Sequence, residues 1–188
     1  MNKKNLKNLF SIGTTEGKIF LSLLFIISTA LLILPLFLDI DYKAFTTLGL
    51  VGLFVINFLG SATFFLPAPA IVSVAIAAGS FNPIIVALVA AVASALGEAI
   101  AFIFGYSSAE VLNLKKHKYI YKVSRALVHW KGGILIPLFS FVPNPLFDGL
   151  GILAGISNFP LLKFVIYTFL GRLVRNIGIA YLGLFLWF

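Results

Sequence analysis

The chain has 188 residues, of which 61% are hydrophobic and only 11% charged, whereas an ordinary soluble domain carries about 25% charged residues. So few charges cannot cover a water-facing surface, which excludes a soluble globular enzyme and makes lipid the solvent for most of the chain. The formal charge of +8, from 14 Lys and Arg against 6 Asp and Glu, gathers at the flanks of apolar runs; that is the placement of cytoplasmic loops rather than of a nucleic-acid interface, and no nucleic-acid partner is expected.

Residues 1–18, with Lys3, Lys4, Lys7 and Lys18, read as a basic cytoplasmic N-terminus. Residues 19–38 are uncharged and long enough for one helical crossing. Asp39, Ile40, Asp41 and Tyr42 behind them offer no small-residue cleavage site, so a retained transmembrane helix is expected. From Ala44 to Gly97 there is no charge, and Pro67, Pro69 and Pro83 cut this run into pieces. The piece from Pro67 to Asn82 is short for a span. A re-entrant helical hairpin with its tip at Ser61 to Pro69 is therefore expected, followed by a full crossing from Pro83 to Ala109. Residues 44–109 make up this first unit. Residues 111–131 form a basic cytoplasmic segment carrying Lys115, Lys116, Lys118, Lys122, Arg125 and Lys131. A second unit over 119–188 then repeats the plan, with uncharged runs from Gly132 to Phe147 and from Gly149 to Leu162 and a last helix carrying Arg172 and Arg175.

A shift of 76 residues lays Phe65-Leu66-Pro67-Ala68-Pro69 on Phe141-Val142-Pro143-Asn144-Pro145, and Ala78-Gly79 on Ala154-Gly155. With a short deletion in the following helix, Gly97-Glu98 falls on Gly171-Arg172. The first copy starts outside and the second inside. The expected fold is thus an all-α integral membrane protein of about three transmembrane helices plus two re-entrant hairpins, arranged as an inverted repeat.

Glu98 lies deep in its crossing, where an isolated carboxylate costs about 2.5 to 3.5 kcal/mol on insertion scales, so it must be paired, protonated or hydrated. Arg172 and Arg175 lie deep in the last helix, and Asp148 follows the second tip. These four residues sum to zero formal charge. They define a candidate transport or substrate-binding site with Asn144 and the tip prolines Pro67, Pro69, Pro143 and Pro145. Asn57, Ser61, Thr63 and Ser140 would be its neutral polar lining. Gly149, Gly151 and Gly155 predict close helix approach, not a phosphate cradle, because no Lys-Ser/Thr follows them. His117 and His129 have no metal-site spacing, cysteine is absent, and no serine has a partnering histidine at depth. Neither metal, cofactor nor enzymatic chemistry is expected.

Several of these segments resemble the DedA superfamily, also called the VTT or SNARE-associated Golgi proteins. They are the Pro-containing tip, Leu96-Gly97-Glu98 with Gly105-Tyr106, the loop end His129-Trp130-Lys131-Gly132-Gly133, the second tip and Ala154-Gly155. Val142-Pro143-Asn144-Pro145-Leu146-Phe147-Asp148 is most similar to the vacuole membrane protein branch. The resemblance implies a lipid transporter: a phospholipid scramblase in the eukaryotic branches, a recycler of polyprenyl phosphate, proton-coupled or not, in bacteria. Bacterial members carry acidic residues around the first tip and arginines around the second, where this chain has Ala68, Ala70 and Ile71, then Ser140 and Leu146. Glu98 stands at the family's Gly-acidic position.

The expected function is movement of phospholipid or polyprenyl-phosphate lipids between leaflets, with anionic head groups as partners. Two other classes are a proton-coupled transporter of a small ion or solute, with protons as partners, and a non-transporting membrane scaffold. Homo-oligomers are compatible with either. The expected location is a multi-pass place in a prokaryotic cell membrane, or the endoplasmic reticulum membrane in a eukaryote, with the N-terminus cytoplasmic.

Overall fold

In the computed structural model, residues 19–23, 25–27, 48–62, 67–112, 118, 122, 132–142 and 146–187 are described. Six helices organise them: α1 Gly49–Ala62, α2 Pro67–Ala78, α3 Pro83–Val111, α4 Gly132–Phe141, α5 Leu146–Ile156 and α6 Leu161–Trp187. No strand occurs among the described residues. Residues 19–23 and 25–27 of the first expected crossing are also helical, and the Phe25 ring stacks on Phe104 of α3 at 5.4 Å.

Helix starts and stops follow local chemistry. Pro83, with its fixed φ and missing N–H, opens α3, and the Asn82 side chain accepts a hydrogen bond from the Ile84 N–H at 2.9 Å. At the end of α5, Asn158 takes a left-handed φ of 57°. Its N–H donates to the Gly155 carbonyl and the Phe159 N–H to that of Ala154, each at 3.0 Å, which closes the helix and turns the chain into α6.

Length divides the helices into two kinds. α3 has 29 residues and α6 has 27, about 40 Å each, which exceeds a hydrocarbon core of about 30 Å. α3 is long and apolar enough to cross a membrane. The other four have 10 to 14 residues, too short to cross alone, and come in two successive pairs. α3 and α6 pack antiparallel: Phe102 meets Phe164 with ring centroids 5.1 Å apart, Glu98 meets Arg172, and Val86 and Ala90 share a cluster with Ala180.

The short helices dock on this central pair in a crossed fashion. α1 packs on α3 and α2 on α6, while α4 packs on α6 and α5 on α3. Exchanging α1, α2 and α3 for α4, α5 and α6 therefore turns each packing pair into another packing pair. Three apolar clusters result among the described residues, a small one of Ala62 and Ile100 between α1 and α3 and two larger ones. Of the larger, one gathers Leu53, Val74, Ala78, Val86, Ala90 and Ala180; the other gathers Phe102, Ile136, Leu150, Ala154 and Phe164.

The elements correspond at a spacing close to that of the Pro-x-Pro tips. α1 and α4 end 79 residues apart, and α3 and α6 start 78 apart and end 76 apart. Gly79 lies in the turn after α2, whereas Gly155 lies inside α5. The helix bounds thus relate the halves by 76 to 79 residues, a range that includes the shift of the proline match.

Candidate functional site

Glu98 is the sixteenth of the 29 residues of α3, at its middle, and is 0% exposed. Around it α3 is built from small residues, with Ala91, Ser94, Ala95, Gly97 and Ala101 all buried, so neighbouring helices approach its backbone closely. A methyl group at Gly97 would overlap the Phe58 carbonyl oxygen of α1. The same holds at Gly171, next to Arg172, where it would overlap the Pro137 carbonyl oxygen and the Ser140 hydroxyl of α4.

Between α3 and α6 the Arg172 guanidinium meets the Glu98 carboxylate, where Nη2 donates to Oε1 in a buried ion pair. Arg175 lies one turn further along α6 and, like Arg172, is only 7% exposed. Its Nε and Nη2 donate to the side-chain oxygen of Asn176 at 3.3 and 3.2 Å. Gly151 brings α5 up to the carboxylate, since a Cβ there would lie 3.7 Å from Glu98 Oε2. Along the helix axes the charged pair falls between the two larger apolar clusters. One carboxylate and two guanidiniums leave a formal excess of +1 on these three residues.

Of the residues expected from the sequence, Glu98 and Arg172 meet, and Arg175 stands one turn away on α6. Ser61 borders Gly97, and Ser140 borders Gly171 with its hydroxyl donating to the Pro137 carbonyl at 3.0 Å. Asn57 does other work, tying α1 to α2 by donating to Ser73 Oγ at 3.2 Å and to the Leu53 carbonyl at 2.9 Å. Pro67 and Pro69 fall in the first turn of α2, and Asp148 is the third residue of α5. Thr63, Pro143, Asn144 and Pro145 lie outside the described residues, as do His117 and His129. The three glycines of α5 differ: Gly155 lies hard against the backbone of Phe102 and Tyr106, whereas Gly149 has open space beside it. No group of side chains suited to a metal ion occurs among the described residues.

Sequence reasoning missed Ser94, Thr168 and Asn176, each 0% exposed. The signal was present, because residues 168, 172, 175 and 176 recur at helical spacing and share one face of α6. Thr168 Oγ1 and Asn176 Nδ2 have no hydrogen-bond partner among the described residues, so this face carries polar capacity beyond the ion pair. A cavity of about 70 Å³ between α1 and α2, lined by Leu53, Ile56, Ser73, Ile76 and Phe81 among others, includes none of the charged residues.

Residues 66–185 match the VTT domain family. The match runs from the residue before α2 to near the end of α6 and includes Glu98, Arg172 and Arg175. No curated protein and no solved structure matches the chain. The matched stretch is well over half of the 188 residues, and the chain belongs to the VTT domain family of membrane proteins.

Proposed function

We propose that the protein moves an amphiphilic lipid with an anionic head group between the leaflets of a bilayer, its head passing a polar site between α3 and α6 while its tails stay in lipid. The observation that carries this reading is a buried Glu98–Arg172 pair with a second buried arginine, Arg175, midway along two helices of spanning length. A charged group at such depth is costly and, as a rule, functional. The formal excess of +1 on the three residues suits one negative charge on a visiting head group. A phosphate at Arg172 would replace Glu98 as its partner, and Glu98 would return to Arg172 once the head group left. Both states keep the guanidinium in a charge-assisted hydrogen bond.

In this reading α1–α2 and α4–α5 are re-entrant hairpins that enter from opposite sides, and the chain is an inverted repeat. The antiparallel α3 and α6 and the crossed docking of the hairpins support it. Exposed apolar residues at every fourth position, Leu88, Val92 and Leu96 on α3 and Ile166, Leu170 and Val174 on α6, suit a surface in contact with acyl chains. The role is transport rather than catalysis. The N-terminus is cytoplasmic and the host membrane a cell membrane. The likeness of the second tip to the vacuole membrane protein branch favours phospholipid scrambling over polyprenyl-phosphate recycling.

The test is lipid scrambling in proteoliposomes, read from the accessibility of fluorescent phospholipids to an external quencher. Wild-type protein should expose inner-leaflet lipid, and Glu98→Gln, which keeps shape but removes the charge that releases the head group, should slow this at least tenfold. A folded wild type without lipid movement overturns the reading in favour of solute transport or a scaffold. Equal rates in both proteins would remove Glu98 from the path.

A further inference from the structure

Exchanging the two halves matches the packing pairs but leaves one mismatch. Gly97 and Gly171 receive equivalent points of the first hairpin helices: Phe58 and Pro137 lie four residues before the ends of α1 and α4, Ser61 and Ser140 one. Their places on the long helices differ. Gly97 is fourteen residues past the start of α3, while Gly171 is only ten past the start of α6. α4 therefore sits on α6 one turn, about 6 Å, nearer the helix start than α1 sits on α3. The contacts between halves show no such offset, since Gly105 and Gly183 are both twenty-two residues past their helix starts and receive Ile152 of α5 and Ala75 of α2. The residue fourteen past the start of α6 is Arg175, and the one ten past the start of α3 is Ala93, fully buried.

We propose that α4 has two seats on α6, one helical turn apart, and that the Arg175 side chain bars the second. The seat used in this structure is Gly171; the other, at position 175, is the one α1 uses on its own long helix. Helix surfaces repeat by the turn, so the nearest alternative packing of one helix on another is one turn away, with no comfortable place between. Each seat admits no side chain, because even a methyl group at 171 would overlap Pro137 and Ser140. An arginine at 175 thus holds α4 at Gly171, and only a residue without a side chain there would open the second seat. α4 touches its hairpin partner α5 only sparsely, whereas α1 and α2 pack along one another. The proposal goes beyond lipid movement and stands without it.

Replacing both seat residues copies the Ala93 and Gly97 pattern of the first half onto the second. Gly171→Ala alone should lower the thermal unfolding temperature. In an Arg175→Gly background the same change should cost clearly less, because α4 then takes the second seat. The chain has no cysteine, so spin labels can be placed at Ile134→Cys on α4 and Leu182→Cys on α6, both exposed in the structure. Their separation should shorten by up to about 6 Å in Gly171→Ala/Arg175→Gly relative to the parent. Labels at Val51→Cys and Leu96→Cys, across α1 and α3, should keep theirs. Failure of Gly171→Ala to fold, with recovery in the double variant, supports the two seats as well. An equal cost in both backgrounds, an unchanged separation, or failure of both variants to fold overturns them.

Discussion

Glu98 and Arg172 come from positions 74 residues apart in the sequence and meet on a stretch of α3 built from small residues, with buried Arg175 one turn along α6. A buried pair of this kind adds little net stability when whole, but removing one partner leaves a charge stranded and costs about 3 to 5 kcal/mol. Arg172→Ala should therefore destabilise strongly. Glu98→Gln combined with Arg172→Gln should cost less than the two single changes added together. Thermal unfolding of the four proteins in one detergent checks this as a double-mutant cycle; additive costs would mean that the two side chains are not coupled. The charged members of the site were legible in the sequence because a charge inside a long apolar run is conspicuous. Thr168 and Asn176 were not, since a neutral polar residue in such a run stands out only when the face it shares with Arg172 is seen to meet α3.

Between neighbouring helices the decisive residues are those with no side chain. Gly155→Ala should overlap the Phe102 carbonyl oxygen, push α5 off α3 and lower the unfolding temperature by several degrees. Gly149→Ala, six residues earlier on the same helix, has open space beside it and should be neutral or slightly stabilising through helix propensity. Thermal scans of the two variants separate a packing glycine from an incidental one. The sequence marked all three glycines of α5 as a close-packing face but could not rank them, because spacing along a helix says which residues share a face and not which of them touches a neighbour. Helix boundaries were more legible: Pro83 marks the start of α3, and Pro67 the start of α2. The seating of the short helices on the long ones was less so, since a Pro-x-Pro match concerns the tips and not the points at which helices touch.

For the molecule as a whole, the antiparallel central pair sets a simple expectation. The start of α3 lies beside the end of α6, so the turn before α3 and the turn before α6 face opposite ends of the fold. Ser80 and Lys163 are exposed at those two places. In the proposed topology, Ser80→Cys should react with a membrane-impermeant maleimide added to intact cells, and Lys163→Cys only once the membrane is opened. Reaction of both from one side would contradict a crossing by α3. The ion pair also bears on biosynthesis. α3 leaves the ribosome with its carboxylate 74 residues ahead of the arginine it pairs with, an interval of roughly 4 to 15 seconds at ordinary translation rates. Through that interval the nascent chain holds an acidic group that the membrane does not tolerate alone. Protonation of Glu98, water beside it or delayed entry of α3 into lipid must cover the gap, and a chain cut short before α6 would keep that cost for good.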